Sequence, residues 1–225
     1  MALRRREKRT ERSKLDATPP WDTRRSHDND PTTGPYDVQD APEDGLERLD
    51  LGALRIPVET GLEIRVEVDE QGAVAGVNLV DDSGQMQLGV FAAPRNEGIW
   101  DEVRAEIKES ISSQGGTTSE QDGEFGIELG GVLPAPGGIT PVRFIGVNGP
   151  RWFLRAMLAG GPAGEDDKAA VFLEAFRLLV VVRGSEPLPV REPVPLQLPA
   201  EAAEQIAAAA GAQDQQQNQQ QDQQG

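Results

Sequence analysis

Residues 143–158 read RFIGVNGPRWFLRAML, two runs of apolar and aromatic residues on either side of Asn148-Gly149. An Asn-Gly pair between such runs is the strongest short-range hairpin signal, because both residues tolerate the positive φ of a type I′ turn. The stretch therefore commits the chain to an antiparallel sheet. A two-residue loop at Asn148-Gly149 pairs Val147 with Pro150, Gly146 with Arg151, Ile145 with Trp152 and Phe144 with Phe153. Cross-strand partners share a face. One face then carries Ile145, Val147, Trp152, Leu154 and Leu158, with Arg143 toward its open end, and is expected to pack as core under a helix.

The other face carries Phe144, Phe153, Met157, Arg151 and Arg155, and it admits two readings. Arginine stems can cover the Phe rings while their guanidinium groups pair with the chain's many carboxylates. Alternatively, arginine beside aromatic rings is the composition enriched at binding hot spots. The candidate partner-binding residues are Phe144, Arg151, Phe153 and Arg155.

The flanking sequence extends this plan. LEIRVEV, residues 62–68, sets Leu62, Ile64, Val66 and Val68 against Glu63, Arg65 and Glu67, the alternation of a half-exposed antiparallel strand. AVAGVNLV and QMQLGVFAA flank Asp81-Asp82-Ser83-Gly84, a second hairpin signal. EGIWDEVRAEIKESISS follows, with Ile99, Trp100, Val103, Ile107 and Ile111 in one stripe at helical spacing. Asn96 is the expected N-cap, and Gly115-Gly116 ends the helix. The second half repeats the order: EFGIELGGVL as a strand, PVRFIGV with RWFLRAML as the hairpin, and EDDKAAVFLEAFRLLVVV as a helix. Glu165, Asp166 and Asp167 fall in that helix's first turn, where the dipole favours them, and Arg183-Gly184 closes it. The expected fold is α+β, an antiparallel sheet covered on one face by two helices, with the strand–hairpin–helix plan repeated twice and disordered tails.

Residues 46–192 make up the expected domain of this 225-residue chain. Residues 1–45 form a basic and polar arm with too few apolar residues to offset the entropy of ordering. Its first fourteen residues carry seven basic side chains (Arg4, Arg5, Arg6, Lys8, Arg9, Arg12, Lys14) against two acidic ones, a net +5. From residue 193 to 225 the chain is expected to be a Pro-rich extended segment, a short helix and a Gln-rich disordered tail. The stretch Pro187 to Pro199 should lie extended against the domain surface or leave it.

Composition removes much chemistry. There is no cysteine, which excludes thiolate catalysis, Cys-ligated zinc and disulfides. The single histidine, His27, lies in the polar arm, so Ser-His catalysis and multi-His metal sites have no residue to use in the domain. A formal net charge of -16 argues against a body built to coat nucleic acid or an anionic membrane. The longest apolar run, LLVVV, is far too short for a signal peptide or a membrane span, and the expected location is cytoplasmic. GGPAG precedes a helix start that could cradle an anion, but Glu165, Asp166 and Asp167 crowd that end with negative charge. The acidic pairs Asp81-Asp82, Asp101-Glu102 and Asp166-Asp167 lie in a turn and in first helical turns, where solvated acids are ordinary. No catalytic residue, metal site or cofactor is expected, although an enzyme using only carboxylates, Lys or Arg stays open.

Four segments carry a resemblance: GLERLDLGALRIPV (45–58), FAAPR (91–95), RFIGVNGPRWFLRA (143–156) and VVVRGSEPLPVREPVPLQLP (180–199). Together they resemble an uncharacterised actinobacterial family called domain of unknown function 3710, over roughly residues 36–200. The GPRWFLR-type hairpin is the most specific part. The resemblance implies no assigned activity or cofactor and offers no catalytic residues to carry over. The expected function is a non-enzymatic, adaptor-like protein–protein interaction module that binds an unknown partner through the Arg/aromatic hairpin. Its alternative is nucleic-acid or anionic-membrane association through the basic arm, weak and strongly salt-dependent at five net charges.

Overall fold

The computed structural model describes residues 33–69, 73–95, 97–135 and 138–199. The arm residues 1–32, the expected helix cap Asn96 and the tail from residue 200 lie outside the described residues.

The period-2 segments become one seven-stranded antiparallel sheet. Its strands are β4 (Glu63–Val68), β5 (Val74–Asp81), β6 (Gly84–Ala92), β7 (Thr117–Gly123), β8 (Gly126–Ala135), β9 (Gly138–Gly149) and β10 (Trp152–Gly160). The spatial order is β4-β5-β6-β10-β9-β8-β7, so the last strands of the two halves, β6 and β10, pair at the middle. The turn between β5 and β6 forms where Asp81 predicts it: its Oδ1 accepts hydrogen bonds from the Ser83 N–H, the Ser83 hydroxyl and the Gly84 N–H. Strand β7, TTSEQDG, lacks any apolar alternation; as an edge strand it needs none.

A second sheet of four short strands, in the order β1-β11-β3-β2, comprises β1 (Tyr36–Asp37), β2 (Arg48–Asp50), β3 (Leu54–Pro57) and β11 (Val180–Val181). It corrects two expectations. The body begins at Tyr36 rather than at residue 46, because Tyr36 and Val38 donate backbone N–H groups to Leu179 and Val181, a pairing that needs no apolar run. The last helix ends at Arg177 rather than continuing through LLVVV. A short apolar run reads equally as buried helix or buried strand, and β-branched Val180 and Val181 take the strand.

Helix α1 (Trp100–Ser113) and helix α3 (Asp166–Arg177) lie on opposite faces of the large sheet, which overturns the expectation of two helices on one face. Phe172, Ala175 and Phe176 of α3 share a core with Ile145, Val147, Trp152 and Leu154, and with Leu51, Leu54 and Ile56 of the small sheet's side. Trp100 and Ile111 of α1 instead pack with Leu129, Val142, Phe144 and Phe153. Phe144 and Ile145 are neighbours on β9, so they point to opposite faces, and each face has its own helix. The molecule is therefore three-layered: α1, the large sheet, then α3 (preceded by the single turn α2, Gly161–Gly164) beside the small sheet. The two halves also differ in order: β4, β5 and β6 precede α1, whereas four strands, β7 to β10, precede α3.

The Pro-rich segment lies against the domain and pairs with it, extending the body past residue 192. Ala92 donates to the Glu192 carbonyl, Val194 to that of Val90, and Gln197 to that of Leu51. Arg191 adds ion pairs to Glu102 and Glu106 on α1. Among the described residues no helix is long and apolar enough to cross a membrane.

Candidate functional site

The β9–β10 hairpin turns two residues later than the Asn-Gly signal implies. Gly149 pairs with Trp152 and Asn148 with Phe153, so Pro150-Arg151 is the loop and Asn148-Gly149 belongs to β9. Proline at the first corner with Arg151 at φ 65° at the second matches the demands of a type II turn. Asn148 is used elsewhere: its side-chain oxygen accepts the Ile99 N–H at 2.9 Å, anchoring the entrance to α1. A shift of two residues preserves the period-2 alternation, so both face assignments stand although the pairs do not.

The face expected to be presented to a partner is not available to one. Phe144 is 8 % exposed and Phe153 1 %, both beneath α1. Trp100 stacks on Phe153 with ring centroids 5.8 Å apart, and its indole N–H reaches the Ile127 carbonyl at 2.7 Å. Phe144 and Phe153 are core residues, and their assignment as binding residues is corrected. Arg155 is half-buried on the same face with its guanidinium 5.1 Å above the Phe91 ring. Of the four candidates only Arg151 reaches the hairpin tip. The basic-arm candidates Arg4, Arg5, Arg6, Lys8, Arg9, Arg12 and Lys14 lie outside the described residues.

At that tip the chain builds something no local pattern foretold. A recess of about 650 Å³ is walled by Arg95, Arg151 and Arg183, with Asp37, Gln39 and Ser185 at its margin. The three arginines come from the segment after β6, from the hairpin turn and from the segment after β11. Arg183 is 8 % exposed. Its Nε donates to the Arg151 carbonyl and its Nη1 to the Glu186 carbonyl, both at 3.1 Å. Burial and then the charge of Arg151 push the Arg183 pKa below its ordinary value, against a smaller opposing pull from Glu186. Among the described residues no carboxylate forms an ion pair with Arg95, Arg151 or Arg183. The acid at the margin is occupied otherwise: Asp37 accepts the Trp152 indole N–H at 2.8 Å and the Gln39 backbone N–H at 3.0 Å.

A recess with three guanidinium groups and apolar patches from Val38, Pro150 and Val182 is suited to a carboxylate or phosphate carried on a larger body. Nothing there resembles a nucleophile with its base. Several other acids pair with arginine or lysine, Glu120 with Arg104 and Lys108 among them, and among the described residues no three His, Cys, Asp or Glu side chains gather to hold a metal ion. Arg95 and Arg183 were absent from the sequence-based candidates. Each stands beside a turn signal, in FAAPR and VVVRGSE, but only the tertiary structure brings them together.

No curated protein matches this chain. Among solved structures, the solution structure of cyanobacterial PsbP (CyanoP) from Synechocystis sp. PCC 6803 is similar at 11 % identity and a TM-score of 0.40, covering 60 % of this chain and 92 % of that one. The model of a protein family of unknown function, DUF3710, matches residues 34–205, a span that takes in both sheets, both long helices and the arginine recess, and the chain belongs to that family.

Proposed function

We propose that the protein is a non-enzymatic interaction module whose contact point is the tip of the β9–β10 hairpin, where the arginine recess receives an acidic group of a protein partner. The observation that carries this reading is the gathering of Arg95, Arg151 and Arg183 with no ion-paired carboxylate among the described residues, in a chain of net charge -16. Among the described residues Arg95 and Arg151 have no carboxylate partner, and Arg183, held by two backbone carbonyls, adds its charge from beneath, which leaves the outer two guanidinium groups for a partner. Guanidinium groups offer planar, bidentate recognition of carboxylates and raise encounter rates with acidic surfaces.

The test is affinity capture with tagged full-length protein, wild type and Arg95→Glu/Arg151→Glu, eluted in rising salt and assayed for protein, nucleic acid and lipid. The reading expects a stoichiometric protein that the double variant fails to retain. Retention of nucleic acid or lipid instead, lost on deleting residues 1–14, would move the function to the basic arm.

A further inference from the structure

Another guanidinium without an ion pair among the described residues, that of Arg155, lies away from the hairpin tip. Arg155 sits on the central strand β10, and its cross-strand neighbours on both sides are glycines, Gly89 on β6 and Gly146 on β9. The glycines leave room for rings, Phe91 over Gly89 and Trp100 over Gly146, and the Arg155 guanidinium rests 5.1 Å above the Phe91 ring. Burial lowers its pKa from the ordinary value and no carboxylate opposes that shift. Among the described residues it makes no ion pair and no hydrogen bond.

The sheet opens at this point. Strand β5 pairs with β6 only from Val77 onward, whereas Val74 and Gly76 pair with β4 alone. Beyond the fork, the Pro-rich strap takes over the other side of β6 through Val194 and Pro193. The fork encloses a groove of about 230 Å³ with Arg155 in its wall, bounded by Gly76, Gln87, Phe91, Pro193 and Leu196. Arg155 and Gln87 stand here among Phe91, Pro193 and Leu196, polar groups beside apolar ones, and about 230 Å³ admits only a small ligand. A cation taken partly out of water beside an aromatic ring gains most from an anion that brings its own apolar body.

We infer that the groove between β5, β6 and the Pro-rich strap is a binding site for a small apolar monocarboxylate, whose carboxylate meets Arg155 and whose hydrocarbon part lies against Phe91, Pro193 and Leu196. This site is independent of the hairpin-tip reading. Gln87, half-buried at the groove, supplies an amide that can meet the second carboxylate oxygen.

The experiment titrates full-length protein with benzoate, followed by NMR at the Arg155 Nε–H and the Phe91 ring. Expected are saturable shifts at both residues, competition by hexanoate, and no response to benzamide, the neutral isostere. Arg155→Met, which keeps the stem but not the charge, should weaken benzoate binding roughly tenfold or more, as the loss of a charge-assisted hydrogen bond implies. Arg95→Met/Arg151→Met should bind benzoate as the wild type does. Unsaturable shifts, equal binding of benzamide, or unchanged affinity in Arg155→Met would each overturn the assignment. The wild-type titration with its benzamide control decides the question even should the Arg155 variant fold poorly.

Discussion

The Trp152 indole N–H donates to the Asp37 carboxylate at 2.8 Å across 115 residues of chain, both partners buried. This bond joins the hairpin that leads the large sheet's centre to the first strand of the small sheet, and it sits at the margin of the arginine recess. Asp37→Ala would leave a buried N–H without an acceptor, a loss of about 1–3 kcal/mol. The urea midpoint of the variant, monitored by tryptophan fluorescence, checks it, and an unchanged midpoint would contradict the buried pairing.

Phe153 behaves as core, not as contact surface. Phe153→Ala empties the space against Trp100 and Phe91 and should cost about 3–5 kcal/mol, the usual loss for a large aromatic. Chemical denaturation measures this directly. A near-neutral result would restore the residue to the surface.

Arg151 separates stability from binding. Its φ of 65° disfavours any side chain, so Arg151→Gly should leave stability unchanged or raise it by up to about 1 kcal/mol. Partner capture should nonetheless fall, since the recess loses a guanidinium. Thermal unfolding run alongside the capture assay resolves the two effects.

Arg143 and Glu128 form a buried ion pair at 2.5 Å, with Glu128 about 1 % exposed and Asp166 a second partner of the arginine at 3.0 Å. Arg143→Met alone strands the Glu128 charge and should destabilise by about 3–5 kcal/mol. Adding Glu128→Leu should recover most of that loss, a non-additivity that a double-mutant cycle reads out.

Stability should decline in acid. The Arg48 guanidinium, bonded through both outer nitrogens, holds the Asp44 carboxyl at about 2 against an ordinary 3.8. Arg104 and then Lys108 lower Glu120 in the same way. A depressed folded pKa means that the unfolded chain binds more protons, so this stabilisation is complete above the unfolded value and is lost as pH falls through the folded one. For Asp44 that window runs from 3.8 down to about 2. Asp44→Asn should flatten the decline across it, as urea midpoints at stepped pH would show.

Local pattern settled a good deal of this molecule. The stripe from Ile99 to Ile111 folds as α1, and the alternation in LEIRVEV becomes β4. In the hairpin, the division into an Ile145/Trp152 face and a Phe144/Phe153 face survives a turn displaced by two residues and a register displaced by four, because side chains alternate with a period of two. Residues 34–205 match the DUF3710 model over the segments that first suggested that family. Periodicity reports that a face is apolar, however, and not which element will cover it. That α1 crosses to the side opposite α3, burying Phe144 and Phe153, depends on contacts between segments far apart in the chain. So does the strand at Val180-Val181, whose apolar run suits helix and strand alike until β1 and β3 offer it partners. The arginine recess is the extreme case. Arg95, Arg151 and Arg183 lie 56 and 32 positions apart in the sequence, and only Arg151 stands out as a binding candidate in its own segment. Only the pairing of β6 with β10, and of β11 with β3, brings their charges to one place.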